Sequence, residues 1–394
     1  MANNPDAPWT GDACSLVDEF RAGRRSPLEE TTATLAAIEA DPFNCVSFVD
    51  AEGALESACH ADITRPFGGV PFLVKELDQV AGWPDTAASV PFADRVATGT
   101  TTNGGRIRDR GGATMVGLST ASEFGGVNVT RTELNGVTRN PWDLTRTPGG
   151  SSGGAAAAVA GGIVTIATAG DGGGSIRIPA GFTNLVGLKA TFGRIPRSPG
   201  ARYGNLTVNH GCVSRSVRDT ARWFDVANGH DPRDPLSLPQ VGGWEAGLGT
   251  LGDALAGLKV AVVSDWGGAT VSPIMWDHLI GVAHELIADT AMVPVDEVDT
   301  HLPRMGAAWS ISGMISIRSA LGDMWPDCAD QLTPEIRAGL ELTEGRYGAD
   351  ARDRIERRRC ELNEAMARIF DPADGLDLVI TASNPDVAFA AEGP

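Results

Sequence analysis

The sequence predicts an α/β fold in which helices cover both faces of a central mixed β-sheet. Short apolar runs with the length and composition of strands alternate with helical segments along the chain, which is typical of a sheet flanked by helices. The predicted strands are 45–49, 70–74, 114–118, 164–168, 259–263 and 378–381. The chain has 394 residues, of which 42% are hydrophobic, so it can bury a deep core.

Two segments predict helices directly. Ser26 supplies a capping hydroxyl, Pro27 suits the first helical position and Glu29 completes a capping box, so a helix should begin there and run through 31–40. The alanine- and glycine-rich run 155–169 is too short for the roughly 20 residues of a membrane-spanning helix. It predicts a buried helix followed by a buried strand.

We expect one domain over residues 1–394. The segment 230–257 contains Pro232, Pro235 and Pro239 and is rich in glycine, which makes it the candidate boundary between two apolar blocks. Beyond it, residues 230–370 predict a mainly helical flanking region.

Charge and composition exclude several kinds of partner. The net charge of −18 gives nucleic acid or an anionic membrane no basic surface to bind. The six cysteines have no paired spacing and no His-Glu-x-x-His motif occurs, so neither a metal nor another cofactor is expected. The start of the chain lacks a basic segment followed by an apolar one, from which we expect a cytoplasmic protein.

Lys75 is the first candidate for chemistry. It ends the apolar run Gly69-Val-Pro-Phe-Leu-Val-Lys75, where a buried ammonium needs partners or a lowered pKa. A structural lysine whose charged end reaches water is the alternative. A desolvated lysine can serve as a general base.

Two glycine-rich loops carry serines. Gly149-Gly-Ser-Ser-Gly-Gly154 leads into an alanine-rich helix, as phosphate-binding loops also do, but the Gly-Lys-Ser/Thr ending of such loops is missing. Asp171-Gly-Gly-Gly-Ser175 lets backbone N–H groups converge on one point, as an oxyanion hole requires. An ordinary tight turn is the alternative for this second loop.

Together these segments resemble the amidase signature family. The resemblance is carried by the lysine run, by the stretch 136–154 and by Asp171-Gly-Gly-Gly-Ser-Ile-Arg-Ile-Pro179, with a step of 24 positions from Ser151 to Ser175. It continues through 187–196 and 214–219 and covers roughly residues 15–225. The implied fold is the amidase signature fold, which is consistent with the α/β prediction.

The resemblance implies a Ser-Ser-Lys relay. Ser175 is the expected nucleophile, Ser151 the bridging serine and Lys75 the base. The backbone N–H groups of Gly172, Gly173, Gly174 and Ser175 are expected to hold the oxyanion. Ser152, Asp171 and Arg177 are expected to be structural supports, and Gly125 and Gly126 to lie beside the substrate.

Relatives in this family continue well past residues 381–386, whereas this sequence stops at Pro394. We expect either an incomplete chain or a shortened form without part of the sheet and pocket. The matched part is more similar to nylon-oligomer hydrolases, aryl acylamidases and carbamate-cleaving urethanases than to the glutaminyl-tRNA amidotransferase subunit.

Three functions are open at this stage. The first is hydrolysis of a small, neutral, apolar amide, anilide or carbamate by a monomer or homodimer. The second is an amidotransferase subunit that releases ammonia from glutamine for a partner. The third is a binding protein on the same fold that catalyses nothing.

Overall fold

The computed structural model describes residues 6–200, 206–250, 252–346 and 348–393, so residues 201–205 of the predicted core lie outside it. The chain divides into two compact units. The first consists of Met1–Ala246, Leu321–Arg337 and Ala388–Pro394, and the second of Gly247–Ala320 and Ala338–Val387. The division after Ala246 falls within the segment 230–257 that the sequence marked as a boundary. The single-domain organisation stays a prediction.

The first unit contains a mixed six-stranded sheet. Its strands are β1 Val46–Val49, β2 Pro71–Lys75, β3 Thr114–Ser119, β4 Arg131–Thr132, β5 Gly136–Val137, β6 Ile166–Asp171, β7 Val186–Gly187 and β8 Asn209–Ser214. The sheet order is β1-β3-β2-β6-β8-β7, while β4 and β5 pair separately. Strand β2 is parallel to β3 and β6, and the outer pairs are antiparallel. The predicted mixed sheet is confirmed.

Helices pack on both faces of this sheet, as predicted. They are α1 Ala13–Arg21, α2 Pro27–Glu39, α3 Ala51–Cys59, α4 Thr102–Asp109, α5 Gly153–Ala160, α6 Arg177–Thr183 and α7 Val217–Ala227. Successive side chains of a strand point to opposite faces. Phe72 and Val74 of β2 accordingly join a core with Trp223 of α7, while Leu73 joins a second core with α5 and α6.

The predicted elements of this unit are present. The capping box at Ser26 starts α2, because Ser26 Oγ accepts from the Glu29 N–H and a Glu29 carboxylate oxygen accepts from the Ser26 N–H. The run 155–169 forms the end of α5 and the start of β6, and both are buried. Strands β4, β5, β7 and β8 were not predicted.

The second unit is built around a small parallel sheet. Strands β9 Lys259–Val262, β12 Val293–Pro294 and β13 Leu378–Ile380 pair in the order β12-β9-β13, and β10 Asp265–Trp266 pairs with β11 Ala269–Thr270. The helices after α7 are α8 Trp244–Gly247, α9 Pro273–Thr290, α10 Gly306–Leu321, α11 Pro334–Thr343 and α12 Ala349–Ile369. The strands predicted at 259–263 and 378–381 are confirmed, and the region 230–370 contains short strands as well as the helices expected there.

None of the described helices is long and apolar enough to span a membrane.

The first backbone N–H groups of helix α1 donate to a carboxylate from helix α7. Buried Asp219 of α7 accepts hydrogen bonds from the backbone N–H groups of Ala13 and Cys14, each at 2.9 Å. The first N–H groups of a helix have no acceptor within the helix, and a negative charge there is favoured by the helix dipole. The chain start at α1 is therefore tied to α7 by one side chain.

We predict that Asp219→Ala lowers the free energy of unfolding by roughly 2 kcal/mol, because each buried donor left without an acceptor costs about 1–3 kcal/mol. Asp18→Ala is the matched control, since the Asp18 side chain is 49% exposed and its ion pair with Arg218 spans 3.4 Å. It should change the free energy of unfolding by no more than about 0.5 kcal/mol. Thermal unfolding of both variants tests this, and equal melting temperatures would contradict it.

Candidate active site

The candidate site lies at the carboxyl ends of two parallel strands. Lys75 is the last residue of β2, and Asp171 is the last residue of β6, its parallel neighbour. Open α/β sheets bind ligands at the carboxyl ends of their strands. The loop 149–154 before α5 reaches this edge because Ser151 and Ser152 bond to Lys75, and the loop that joins β6 to α6 begins there.

Lys75 is buried among hydrogen-bond partners. Its side chain packs against the loop 149–154, which we call the serine loop. Nζ donates to Ser151 Oγ and Ser152 Oγ, each at 2.8 Å, and to the Gly170 carbonyl at 3.5 Å. Its backbone N–H donates to Thr168 Oγ1 at 2.8 Å. The structural-lysine alternative, in which the charged end reaches water, does not apply.

Burial lowers the pKa of Lys75 to about 8, against the opposing charges of Asp78, Asp171 and Glu76. Desolvation disfavours the ammonium, and three nearby carboxylates restore part of its stability. A substantial fraction of Lys75 is therefore neutral just above neutral pH. A neutral amine 2.8 Å from a hydroxyl can accept its proton.

Ser151 and Ser152 occupy a loop into which only glycine fits at several points. The peptide bond between Gly150 and Ser151 is cis. A Cβ on Gly150 would lie 2.5 Å from Ser122 Oγ, so the loop packs too closely for a side chain there. Ser152 precedes α5 without capping it; its hydroxyl instead contacts Lys75 and the backbone of Gly170. Ser152 thus joins the lysine to β6.

Asp171 and Arg177 hold the second loop. Asp171 Oδ1 accepts from the Gly174 N–H at 2.8 Å and from Arg177 Nη2 at 2.9 Å, and Oδ2 accepts from Arg177 Nε at 2.8 Å. Burial acts to raise the pKa of Asp171, but the Arg177 hydrogen bonds and charge outweigh it and keep that pKa below its ordinary value. Both residues therefore lie where a supporting role requires them.

The arrangement corrects one of the four predicted oxyanion donors. The Gly174 N–H donates to the Asp171 carboxylate and is not available to a substrate oxygen. The N–H groups of Gly173 and Ser175 donate to no acceptor among the described residues. These two groups and the Gly172 N–H remain the predicted donors.

Ser175 follows this loop, two residues before α6, and its side chain is half-buried. Its hydroxyl makes no hydrogen bond within the described part of the chain, and none to Ser151. The structure thus brings Lys75 into direct contact with Ser151 and Ser152. Asp171 adjoins them through Gly170, whose carbonyl accepts from Ser152. Ser175 lies four residues after Asp171, on the loop that begins at the end of β6.

Gly125, which the sequence predicts to lie beside the substrate, is close to Ser151. It has φ +70°, and a Cβ built on it would lie 3.3 Å from Ser151 Oγ and 3.2 Å from Leu77 Cδ1. Gly126 is held by its N–H to the Glu123 carbonyl, with no contact to the serines among the hydrogen bonds formed. Gly125 is therefore next to the Ser151 hydroxyl, and Gly126 supports the turn.

Glu123 anchors the short turn Glu123–Gly125, which contains Gly125. Glu123 was not singled out from the sequence. This buried carboxylate accepts from Ser89 Oγ at 2.6 Å and from the N–H and Oγ1 of Thr333 at 2.8 and 2.6 Å. Thr333 is 210 positions along the chain, so no local pattern could have indicated the contact. A buried acidic residue next to a predicted substrate segment was the one available signal.

Among the described residues, no group of three or more His, Cys, Asp or Glu side chains could hold a metal ion.

The chain is similar in sequence to a family of amidases and to several curated relatives. The family model described as Amidase matches residues 29–394. The glutamyl-tRNA(Gln) amidotransferase subunit of Deinococcus deserti is 39% identical over 271 residues, which are 66% of this chain and 54% of the relative. The acylamidase of Rhodococcus erythropolis is 37% identical over 241 residues, 58% of this chain and 50% of the relative. The chain thus spans about half the length of the curated relatives it matches.

Solved structures are similar over nearly the whole chain. A bacterial aryl acylamidase of the amidase signature family superposes with a TM-score of 0.87 at 26% identity, over 97% of this chain and 81% of that one. A 6-aminohexanoate cyclic dimer hydrolase gives a TM-score of 0.78 at 27% identity, over 96% of this chain and 79% of that one.

We predict that Gly174→Ala slows labelling of the protein by phenylmethylsulfonyl fluoride about 100-fold. Gly174 has φ +120°, which an alanine adopts only with strain, so the substitution should displace the loop that carries Ser175. Gly162→Ala is the matched control, because Gly162 has φ +85° with nothing within 4 Å of an added Cβ. Intact mass against time gives the rates; equal rates for Gly174→Ala and the control would contradict the role of the loop.

Proposed function

The chain belongs to the amidase family, and from that premise we propose that it hydrolyses a carbon–nitrogen bond of the amide type through an acyl-enzyme on Ser175. The observation that carries this proposal is the buried hydrogen bond of 2.8 Å between Lys75 Nζ and Ser151 Oγ. A lysine so placed, with a pKa lowered to about 8 by burial, is a competent base for a serine.

In the proposed first half-reaction, Ser175 Oγ attacks the carbonyl carbon while its proton passes to Ser151 Oγ and the Ser151 proton passes to neutral Lys75. The tetrahedral oxyanion accepts from the N–H groups of Gly173 and Ser175. Lys75, now an ammonium, returns a proton through Ser151 to the leaving nitrogen. The carbon–nitrogen bond breaks, the amine departs and the acyl group stays on Ser175.

In the second half-reaction, water attacks the acyl-enzyme by the same proton route and the acid is released. The relay requires the Ser175 hydroxyl to reach Ser151 when substrate is bound. Catalytic hydrogen bonds that are long or unformed in a free enzyme tighten in the substrate complex, so the free geometry of Ser175 is compatible with this step.

We propose a small, neutral, apolar amide, anilide or carbamate as the substrate. Two observations support this choice. Two of the similar solved structures are an aryl acylamidase and a 6-aminohexanoate cyclic dimer hydrolase. In addition, the apolar side chain of Leu77 lies next to Gly125 and hence next to Ser151. From a carbamate, the same attack would release an alcohol or amine, and any free carbamic acid would lose carbon dioxide.

A second candidate function is that of an amidotransferase subunit that releases ammonia from glutamine for a partner. The 39% identity to a glutamyl-tRNA(Gln) amidotransferase subunit favours it. It predicts glutaminase activity and a stable hetero-oligomer. The small-amide proposal predicts a monomer or homodimer that acts without a partner, and a cytoplasmic location is part of the same proposal.

The test combines labelling with turnover. Wild-type protein should take up one phenylmethylsulfonyl group by intact mass and hydrolyse a nitroanilide, and Ser175→Ala should lose both, because the nucleophile is removed. Ser316→Ala in α10, which loses an exposed hydroxyl bonded to Ser312, is the matched control and should keep both.

Matched anilide, primary amide and carbamate substrates, with glutamine beside them, then separate the candidates. Turnover of an anilide or carbamate without glutaminase activity supports the small-amide proposal. Turnover of glutamine alone supports the amidotransferase. An adduct that persists in Ser175→Ala, or hydrolysis unchanged in that variant, would show that the nucleophile is misassigned. A wild-type protein that hydrolyses none of these substrates would favour the binding-protein alternative.

A further inference from the structure

Asp78 is a buried carboxylate one turn beyond the proposed base. Its N–H donates to the Lys75 carbonyl at 2.7 Å, which closes a tight turn after β2. Its Oδ2 accepts from Thr168 Oγ1 at 3.1 Å, and Thr168 Oγ1 accepts from the Lys75 N–H at 2.8 Å. Asp78, Thr168 and Lys75 therefore form a closed ring of hydrogen bonds.

The other carboxylate oxygen of Asp78 faces His210. Asp78 Oδ1 lies 3.4 Å from His210 Nδ1, within ion-pair distance but without hydrogen-bond geometry. Burial lowers the pKa of His210; Asp78 and Asp234 oppose this, while Arg197 and Lys75 add to it. At neutral pH and above, His210 is consequently uncharged and does not neutralise Asp78.

The other carboxylates that face Lys75 are each compensated. Asp171 is paired with the guanidinium of Arg177 by two hydrogen bonds. Burial raises the pKa of Glu76 to about 7, although Ala121 and Asn135 donate to it, so part of Glu76 is neutral near that pH. Among the described residues, Asp78 makes no ion pair with an arginine or lysine side chain, and its charge acts on Lys75.

We propose that Asp78 is a positioning residue of the relay: its carboxylate, held by Thr168, fixes the backbone of Lys75 and supplies the negative charge that sets how tightly Lys75 holds its proton. The inference rests on the proposed function. When Lys75 takes the proton of Ser151 it becomes an ammonium, and Asp78 stabilises that ammonium without accepting a proton. A buried aspartate does the same for the imidazolium of a Ser-His-Asp triad.

The chain offers a direct measurement of this effect. Its lysines are Lys75, Lys189 and Lys259, so protein labelled with ¹³C and ¹⁵N in lysine gives few side-chain signals, and Lys75→Met assigns the relevant one. The pH titration of that signal reads the Lys75 midpoint without any substrate. In the wild type it should lie near the pKa of about 8 that burial imposes.

We predict that Asp78→Asn lowers this midpoint by about one pH unit, because removing a nearby negative charge makes the ammonium lose its proton at a lower pH. His210→Gln is the matched control: it changes the same cluster but leaves the Asp78 charge, so the midpoint should not move. With a nitroanilide, the acid limb of kcat/KM should shift down with the midpoint in Asp78→Asn, kcat should fall more than KM changes, and Asp78→Glu should restore the wild-type limb.

A folded Asp78→Asn that titrates at the wild-type midpoint would overturn the proposal. If Asp78→Asn does not fold, Asp78→Ser, which keeps a hydroxyl as acceptor for Thr168, is read in the same way. If Asp78→Asn shifts the Lys75 midpoint but the wild-type protein hydrolyses no amide, the electrostatic role of Asp78 is supported and the proposed function is not. The two failures are therefore distinguishable.

Discussion

The structure around the site depends on one buried amine. Lys75 ends a strand that is buried on both faces, and its Nζ bonds at 2.8 Å to two neighbouring serines. A buried ammonium without partners would cost several kcal/mol, so the surrounding polar groups are needed to hold the residue in place and to limit the fall of its pKa. The serine loop supplies hydroxyls, β6 supplies a carbonyl, and Asp78 and Asp171 supply charge. The mixed sheet matters because it brings the ends of β2 and β6 side by side.

The two glycine loops serve this amine in different ways. The first allows Ser151 and Ser152 to approach Lys75 because the backbone at Gly150 packs against Ser122. The second is shaped by Asp171, which takes the N–H of Gly174 and the guanidinium of Arg177. Asp171 accepts the Gly174 N–H, whereas the N–H groups of Gly173 and Ser175 are left without an acceptor among the described residues. Within the five residues 171–175, Asp171 and Gly174 hold the shape of the loop, and Ser175 is the proposed nucleophile.

The sequence predicted most of the fold, because buried strands and capped helices leave local patterns. It missed β8, Asn209–Ser214, which begins with a polar pair and a glycine and becomes a strand through its antiparallel pairing with β6. In the site, motif and spacing singled out Lys75 and Ser151, which the structure joins by a hydrogen bond, while the role of Ser175 stays a prediction. The sequence could not show that Gly174 is bonded to Asp171, since the glycines of the loop are equivalent until the carboxylate folds back on one of them. Nor could it show Asp78 meeting Thr168, which is 90 positions away.

The central claim is that Ser175 carries the acyl group while Lys75 and Ser151 move its proton. The most direct measurement is to quench the enzyme with acid during turnover of a nitroanilide, digest it with trypsin and locate the acyl group by tandem mass spectrometry. Cleavage after Arg146 and Arg177 places Ser151, Ser152 and Ser175 in one peptide, so fragmentation decides between them. The account predicts the acyl group on Ser175. An acyl group on Ser151 or Ser152, or steady hydrolysis with no acylated serine, would contradict it.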